Sequence, residues 1–236
     1  MKKYGLLVFF ILVIFGIRYF NSFFQSQPIS KEVINYIKNN FDSTVINYFE
    51  EIAFETEYGG GREIIRKWNK DSIFYFIKGN PNVFDSTFVI SSANKLNSIL
   101  INNKLCLSSS IETADIAIDF VIYNDAKKLY PNIDKNTRGQ FIVNKQKYGE
   151  LRKVSICIIT NYFKNKSNYH VILEEFVQSL GLMNDSFMYP KSLFYDYENE
   201  ADSLSPIDIK LLRILYNSGI KSGVTRQHFE EMMEYK

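Results

Sequence analysis

Residues 174–185 read EEFVQSLGLMND. On a helix, Glu174 and Gln178 lie one turn apart on a shared face, and Glu175 points about 100° away. Gly181 lets the chain turn back toward Asn184, with Asp185 beside it. A metal centre built on one helix needs this spacing: two ligands a turn apart, an adjacent carboxylate to orient an attacking water, and a glycine turn that brings round a third ligand. The residue types depart from that use, because none of the three ligand positions holds a histidine. The bland reading of Glu174 and Glu175 is a pair of solvent-facing acids on an amphipathic helix.

Composition narrows the chemistry. The chain has 236 residues, 46% of them hydrophobic and 23% charged, which suits one globular domain of roughly 200 residues with an appendage. A formal net charge of +2, with Lys and Arg scattered among Asp and Glu, leaves no electrostatic footprint for nucleic acid. Only two histidines occur, His170 and His228, so a three-histidine zinc site within the chain is impossible. Cys106 and Cys157 sit in apolar runs without CxxC spacing and read as two buried thiols.

The amino terminus, KKYGLLVFFILVIFGIRYF, begins with two lysines and runs uncharged from Tyr4 to Ile17 before Arg18 interrupts it. That is short of the ~20 residues a spanning helix wants, unless Arg18 snorkels and the following aromatic residues complete the span. No small-residue cleavage pattern follows, so residues 1–27 read as an uncleaved signal-anchor, with a cleaved signal peptide as the alternative. The positive-inside rule then places the rest of the chain outside the cytoplasm, membrane-anchored, or secreted if the segment is cleaved.

Beyond Pro28, Val33, Ile37, Phe41, Val45, Tyr48, Phe49 and Ile52 recur at helical spacing and predict one broken or two short helices over residues 28–60. Three glycines break the pattern. A domain over 61–220 follows, opening with a strand in REIIRKWNKDSIFYFIKG, then a helix in DSTFVISSANKLNSILI capped by Asp85 or Ser86. Strands are expected in NKLCLSS and ADIAIDFVIY, and two more in RGQFIVNKQKYGELRKVSICIIT. A helix from near Asn168 ends at Gly181, and SPIDIKLLRILY forms another, with Ser205 as N-cap and Pro206 at the first helical position. The expected class is α/β, a twisted and mostly parallel sheet with an antiparallel edge strand. Residues 221–236 read as a polar tail.

The stretch at 174–185 resembles the metzincin metallopeptidases, whose motif HExxHxxGxxH precedes a methionine-containing turn. In that likeness Glu174, Gln178 and Asn184 take the three ligand positions, Glu175 matches the general base and Gly181 the glycine. SFMYP at 186–190 looks like the methionine turn, making Met188 the turn methionine, and LSPIDIKLLRILY at 204–216 looks like the closing helix. The likeness extends over residues 64–217. More narrowly, EIAFETEYGG, EEFVQSLGLMND, the SLF of KSLFYD and LLRILY are similar to a family of exported bacterial proteins known only as a domain of unknown function.

Glutamine and asparagine amides are weak partners for zinc, and one carboxylate with two amides is too sparse even for calcium. Without a tightly held Lewis acid, Glu175 would face water of pKa near 16. A ligand pair of His170 and Glu174 is geometrically possible, though a histidine near a helix start is more commonly a polar cap. The resemblance therefore implies a zincin fold with no cofactor expected, acting as a binding module that holds an extended peptide along the edge strand at 138–147. The alternatives are a metallohydrolase with unorthodox ligands, zinc and Glu175 as general base, or a structural envelope protein.

Overall fold

The computed structural model describes residues 26–57, 59, 61–131, 133–160, 168–197 and 200–234. The expected membrane anchor at 1–27 therefore falls, up to residue 25, outside the described residues. Among the described residues no helix is long and apolar enough to cross a membrane.

Two short helices open the chain, α1 (Lys31–Asn40) and α2 (Ser43–Phe54). Each begins where a side-chain oxygen accepts a free backbone N–H: Ser30 takes that of Val33, and Asp42 that of Val45. Their apolar faces deliver Ile37, Tyr48, Phe49 and Ile52 fully into the core.

The sheet is built from β1 (Ser72–Gly79), β2 (Lys104–Leu107), β3 (Ile116–Val121), β4 (Gly139–Lys147) and β5 (Glu150–Ile159). Their order across the sheet is β2-β1-β3-β5-β4; every pairing is parallel except β4 with β5, so the edge strand runs against the rest. Between β1 and β2 lies α3 (Val83–Asn97), capped by Asn82, with Asp85 in its first turn instead of at the cap. A short helix, α4 (Tyr123–Leu129), joins β3 to β4 and was not legible in the sequence. The two faces of β5 feed two clusters. Val154, Ile156 and Ile158 enter the main core, while Cys157 and Ile159 pack with Ala126 of α4 and Ile133.

Three departures from the sequence reading are informative. The strand expected from Arg62 onward begins only at Ser72; residues 64–68 instead cross the interior, with Ile65 and Trp68 fully buried and the Trp68 indole N–H donating to the Ser179 carbonyl at 2.9 Å. Arg66 and Lys67 interrupt any β alternation there, and the Lys67 ammonium reaches the Leu215 and Ile220 carbonyls. Residues 221–236, read as a polar tail, carry α7 (Arg226–Glu234), whose Phe229 is fully buried against Phe49 and Phe54. Met232 and Met233 share the Phe229 face and pack partly buried on the core, and the charged residues around them hid that docking face. Finally, Cys106 is only partly buried, whereas Cys157 is fully so.

The motif helix α5 (Tyr169–Gln178) and the closing helix α6 (Pro206–Asn217) follow β5. Ser205 and Asp208 form a reciprocal capping box on α6. The buried Asp208 carboxylate also accepts from Ser192, which in turn receives the Tyr48 hydroxyl at 2.8 Å. This chain ties α2, the loop after α5 and α6 together. After α5 the backbone turns at Gly181, whose φ is +119° and whose Cα faces the Arg66 carbonyl so closely that an added Cβ would stand 1.9 Å from that oxygen. Replacing it, as Gly181→Ala, is expected to destabilise the protein by more than about 2 kcal/mol, through both left-handed strain and the clash. Urea unfolding of the purified protein measures this.

Candidate functional site

The site is made where α5 lies against the edge strand. Gly139 of β4 permits the approach, since a Cβ there would stand 2.3 Å from Val171 and 3.0 Å from the Glu175 side chain. The consequence is that Glu175 does not face solvent: it is 7% exposed, and Gln178 is 2% exposed. The bland reading of Glu174 and Glu175 as paired surface acids fails for Glu175.

The Glu175 carboxylate accepts the Phe141 backbone N–H. Its Oε2 is buried with no hydrogen-bond partner. Burial, reinforced by the charges of Glu174 and Glu57, holds its carboxyl well above the usual carboxylate range.

Beside α5 opens a cavity of about 470 Å³, with Glu57, Glu174, Glu175, Gln178, Asp185 and Asp196 in its lining. The Gln178 amide donates to Asp185 Oδ1 at 3.2 Å. His170, one turn before Glu174, lies 3.4 Å from the Glu174 carboxylate through Nε2, and its Nδ1 is 2.9 Å from the Ala201 carbonyl. Burial works against a charge on His170, yet the hydrogen bond and charge of Glu174 and the Ala201 carbonyl outweigh it and raise its pKa. It is thus both a partner of Glu174 and a wall of the cavity.

Two expected site residues are elsewhere. Asn184, assigned the third ligand position, turns away from the cavity and donates to the Glu51 carbonyl at 3.3 Å and the Asp185 carbonyl at 3.0 Å, with Glu55 nearby. The α2 terminus captures its amide because two carbonyls converge there. The next residue, Asp185, fills the cavity side in its place. Met188 is 46% exposed and does not line the cavity, so no methionine floor lies under these groups. The loop is anchored instead by Tyr189 packed on Tyr48, and by the Ser186 and Phe194 backbones.

The donor set does not fit zinc. Glu174 is engaged with His170, the Gln178 amide with Asp185, and Asn184 with α2, which leaves no three imidazole, thiolate or carboxylate ligands around a point. Among the described residues no group of three His, Cys, Asp or Glu side chains is arranged to hold a metal ion. Sequence spacing located Glu174, Glu175 and Gln178 correctly on α5. It missed Glu57, Asp185 and Asp196, which arrive from loops.

Burial, with the nearby Glu174, Glu57 and Asp196 charges, pushes the Asp185 carboxyl up to about 8, against a lowering by Gln178. In the unfolded chain the group titrates near its ordinary value, so the native state binds the extra proton between about pH 4 and 8 and its stability falls across that window. Asp185→Asn keeps an acceptor for Gln178 and removes the titration. Its melting temperature relative to the parent is expected to be least changed near pH 4, to gain steadily as pH rises, and to level off above pH 8, as thermal melts across that range would record.

No curated protein matches the chain. Residues 42–235, from the start of α2 through α7, match the family described as protein of unknown function DUF2927, and the chain belongs to that family.

Proposed function

We propose that the chain is a metzincin-like domain, tethered outside the cytoplasm by its N-terminal segment, that binds an extended peptide along β4 and does not hydrolyse it by the zinc route. The observation that carries this reading is the outer edge of β4, unpaired by any strand among the described residues and running beside the acid-lined cavity. The Ile159 N–H bonds the Arg138 carbonyl at 2.8 Å, which sets the antiparallel alternation. Gln140 and Ile142 then face β5, and the amides and carbonyls of Gly139, Phe141 and Val143 face away from it, consistent with the Phe141 N–H reaching Glu175.

The two halves of the edge differ. The register shifts between Val143 and Lys145, and exposed Lys145 and Lys147 follow. A bulge and lysines discourage strand addition. The stretch 139–143 lacks both devices and is the stretch next to the cavity. Support for metzincin likeness comes from the antiparallel edge strand beside the motif helix, the Gly181 turn and the closing helix α6.

Val143→Pro removes one outward N–H and leaves the β5 ladder intact. Full-length protein in mild detergent, titrated with fluorescent randomised peptides, is expected to lose at least about tenfold in affinity with this change while its melting temperature holds. Unchanged affinity would overturn strand addition. Stoichiometric zinc in the purified protein, with peptide turnover abolished by Glu175→Gln, would replace the binding module with a hydrolase.

A further inference from the structure

The geometry points to a cation-recognising subsite: the cavity beside α5 takes the guanidinium or ammonium group of an arginine or lysine side chain carried by the bound peptide. This rests on the peptide-binding reading above and names what that peptide must contain. Five carboxylates, those of Glu57, Glu174, Glu175, Asp185 and Asp196, border one cavity of about 470 Å³. Arg138 and His170 are the basic residues that border it with them.

Acid clusters alone are common, but here one acid is out of water and unsatisfied. Glu175 forms the inner wall, is 7% exposed, and its Oε2 has no donor. A buried acceptor left unpaired costs stability that an incoming N–H group recovers.

The shape favours an organic cation over a metal ion. A divalent ion needs its oxygen ligands gathered at about 2.3–2.6 Å around one point, whereas these carboxylates are spread over the walls and form no such group among the described residues. A guanidinium presents several donors in a planar fork, on a stem that tolerates apolar surroundings. Val171 lines the cavity and offers an apolar contact for that stem, and Tyr195 and Tyr197 also border it. A peptide pairing along β4 would also compete for the Phe141 N–H that Glu175 now accepts, so backbone pairing and side-chain capture meet at the same carboxylate.

The test compares arginine with citrulline, its neutral isostere, in two settings on the full-length protein. The first uses the small probes N-acetylarginine amide and N-acetylcitrulline amide, which are too short to add a strand. The second uses peptides differing only by that substitution. Arginine is expected to bind at least about tenfold more tightly in both, and Glu174→Gln combined with Asp185→Asn is expected to erase the difference while the protein still melts cooperatively. Val143→Pro should weaken the peptides and leave the small-probe preference unchanged. If that preference persists but Val143→Pro has no effect on peptides, strand addition fails and the subsite stands. Equal binding of arginine and citrulline overturns the subsite, whatever Val143→Pro does. So does tight binding of calcium alone that arginine cannot displace.

Discussion

The contact between α5 and the edge strand at Gly139 governs the site. Because position 139 carries no side chain, Val171 and Glu175 come down onto β4, and a carboxylic acid is drawn out of water between a helix and a strand. The Phe141 amide offsets part of the desolvation, and burial with the neighbouring acids holds the carboxyl's pKa up. Any larger residue at 139 would lift the helix, rehydrate Glu175 and dissolve the cavity's inner wall.

Around that contact the loops are held from the far side. Tyr48, Ser192, Asp208 and Ser205 form one buried hydrogen-bonded chain that joins α2 to the loop after α5 and to the cap of α6. Each hydroxyl donates toward the Asp208 carboxylate, so the acid is satisfied although burial raises its pKa. Glu175 lies in a comparable degree of burial with one oxygen left over. That contrast separates an acid that holds the structure together from one left with capacity for a ligand.

Legibility in the sequence followed periodicity and local chemistry. β4 and β5 show as two runs rich in β-branched and apolar residues either side of the Tyr148–Gly149 turn, and α6 announces itself through Ser205, Pro206 and Asp208, so both were readable. α7 was not, because Phe229, Met232 and Met233 share one face of a nine-residue helix in which charged and polar residues fill the remaining positions and mask that short stripe. Residues 64–68 misled through β-branched content, while their burial comes from long-range partners such as Ser179 and Val224. At the site, helical spacing correctly put Glu174 and Gln178 on one face. Which of two adjacent polar residues faced the cavity depended on acceptors at the end of α2, more than a hundred positions away. Local spacing carries no information about that choice.

The capture of Asn184 by α2 limits what substitution could build at this site. Its amide serves as a rivet between the Glu51 carbonyl and the turn before Asp185. Installing imidazoles at 174, 178 and 184 would therefore not assemble a trio of nitrogens, since the last of them would inherit a post on the opposite side of the loop. Side-chain exchange at these three positions alone would leave them divided, because a neighbouring helix fixes the direction in which residue 184 points.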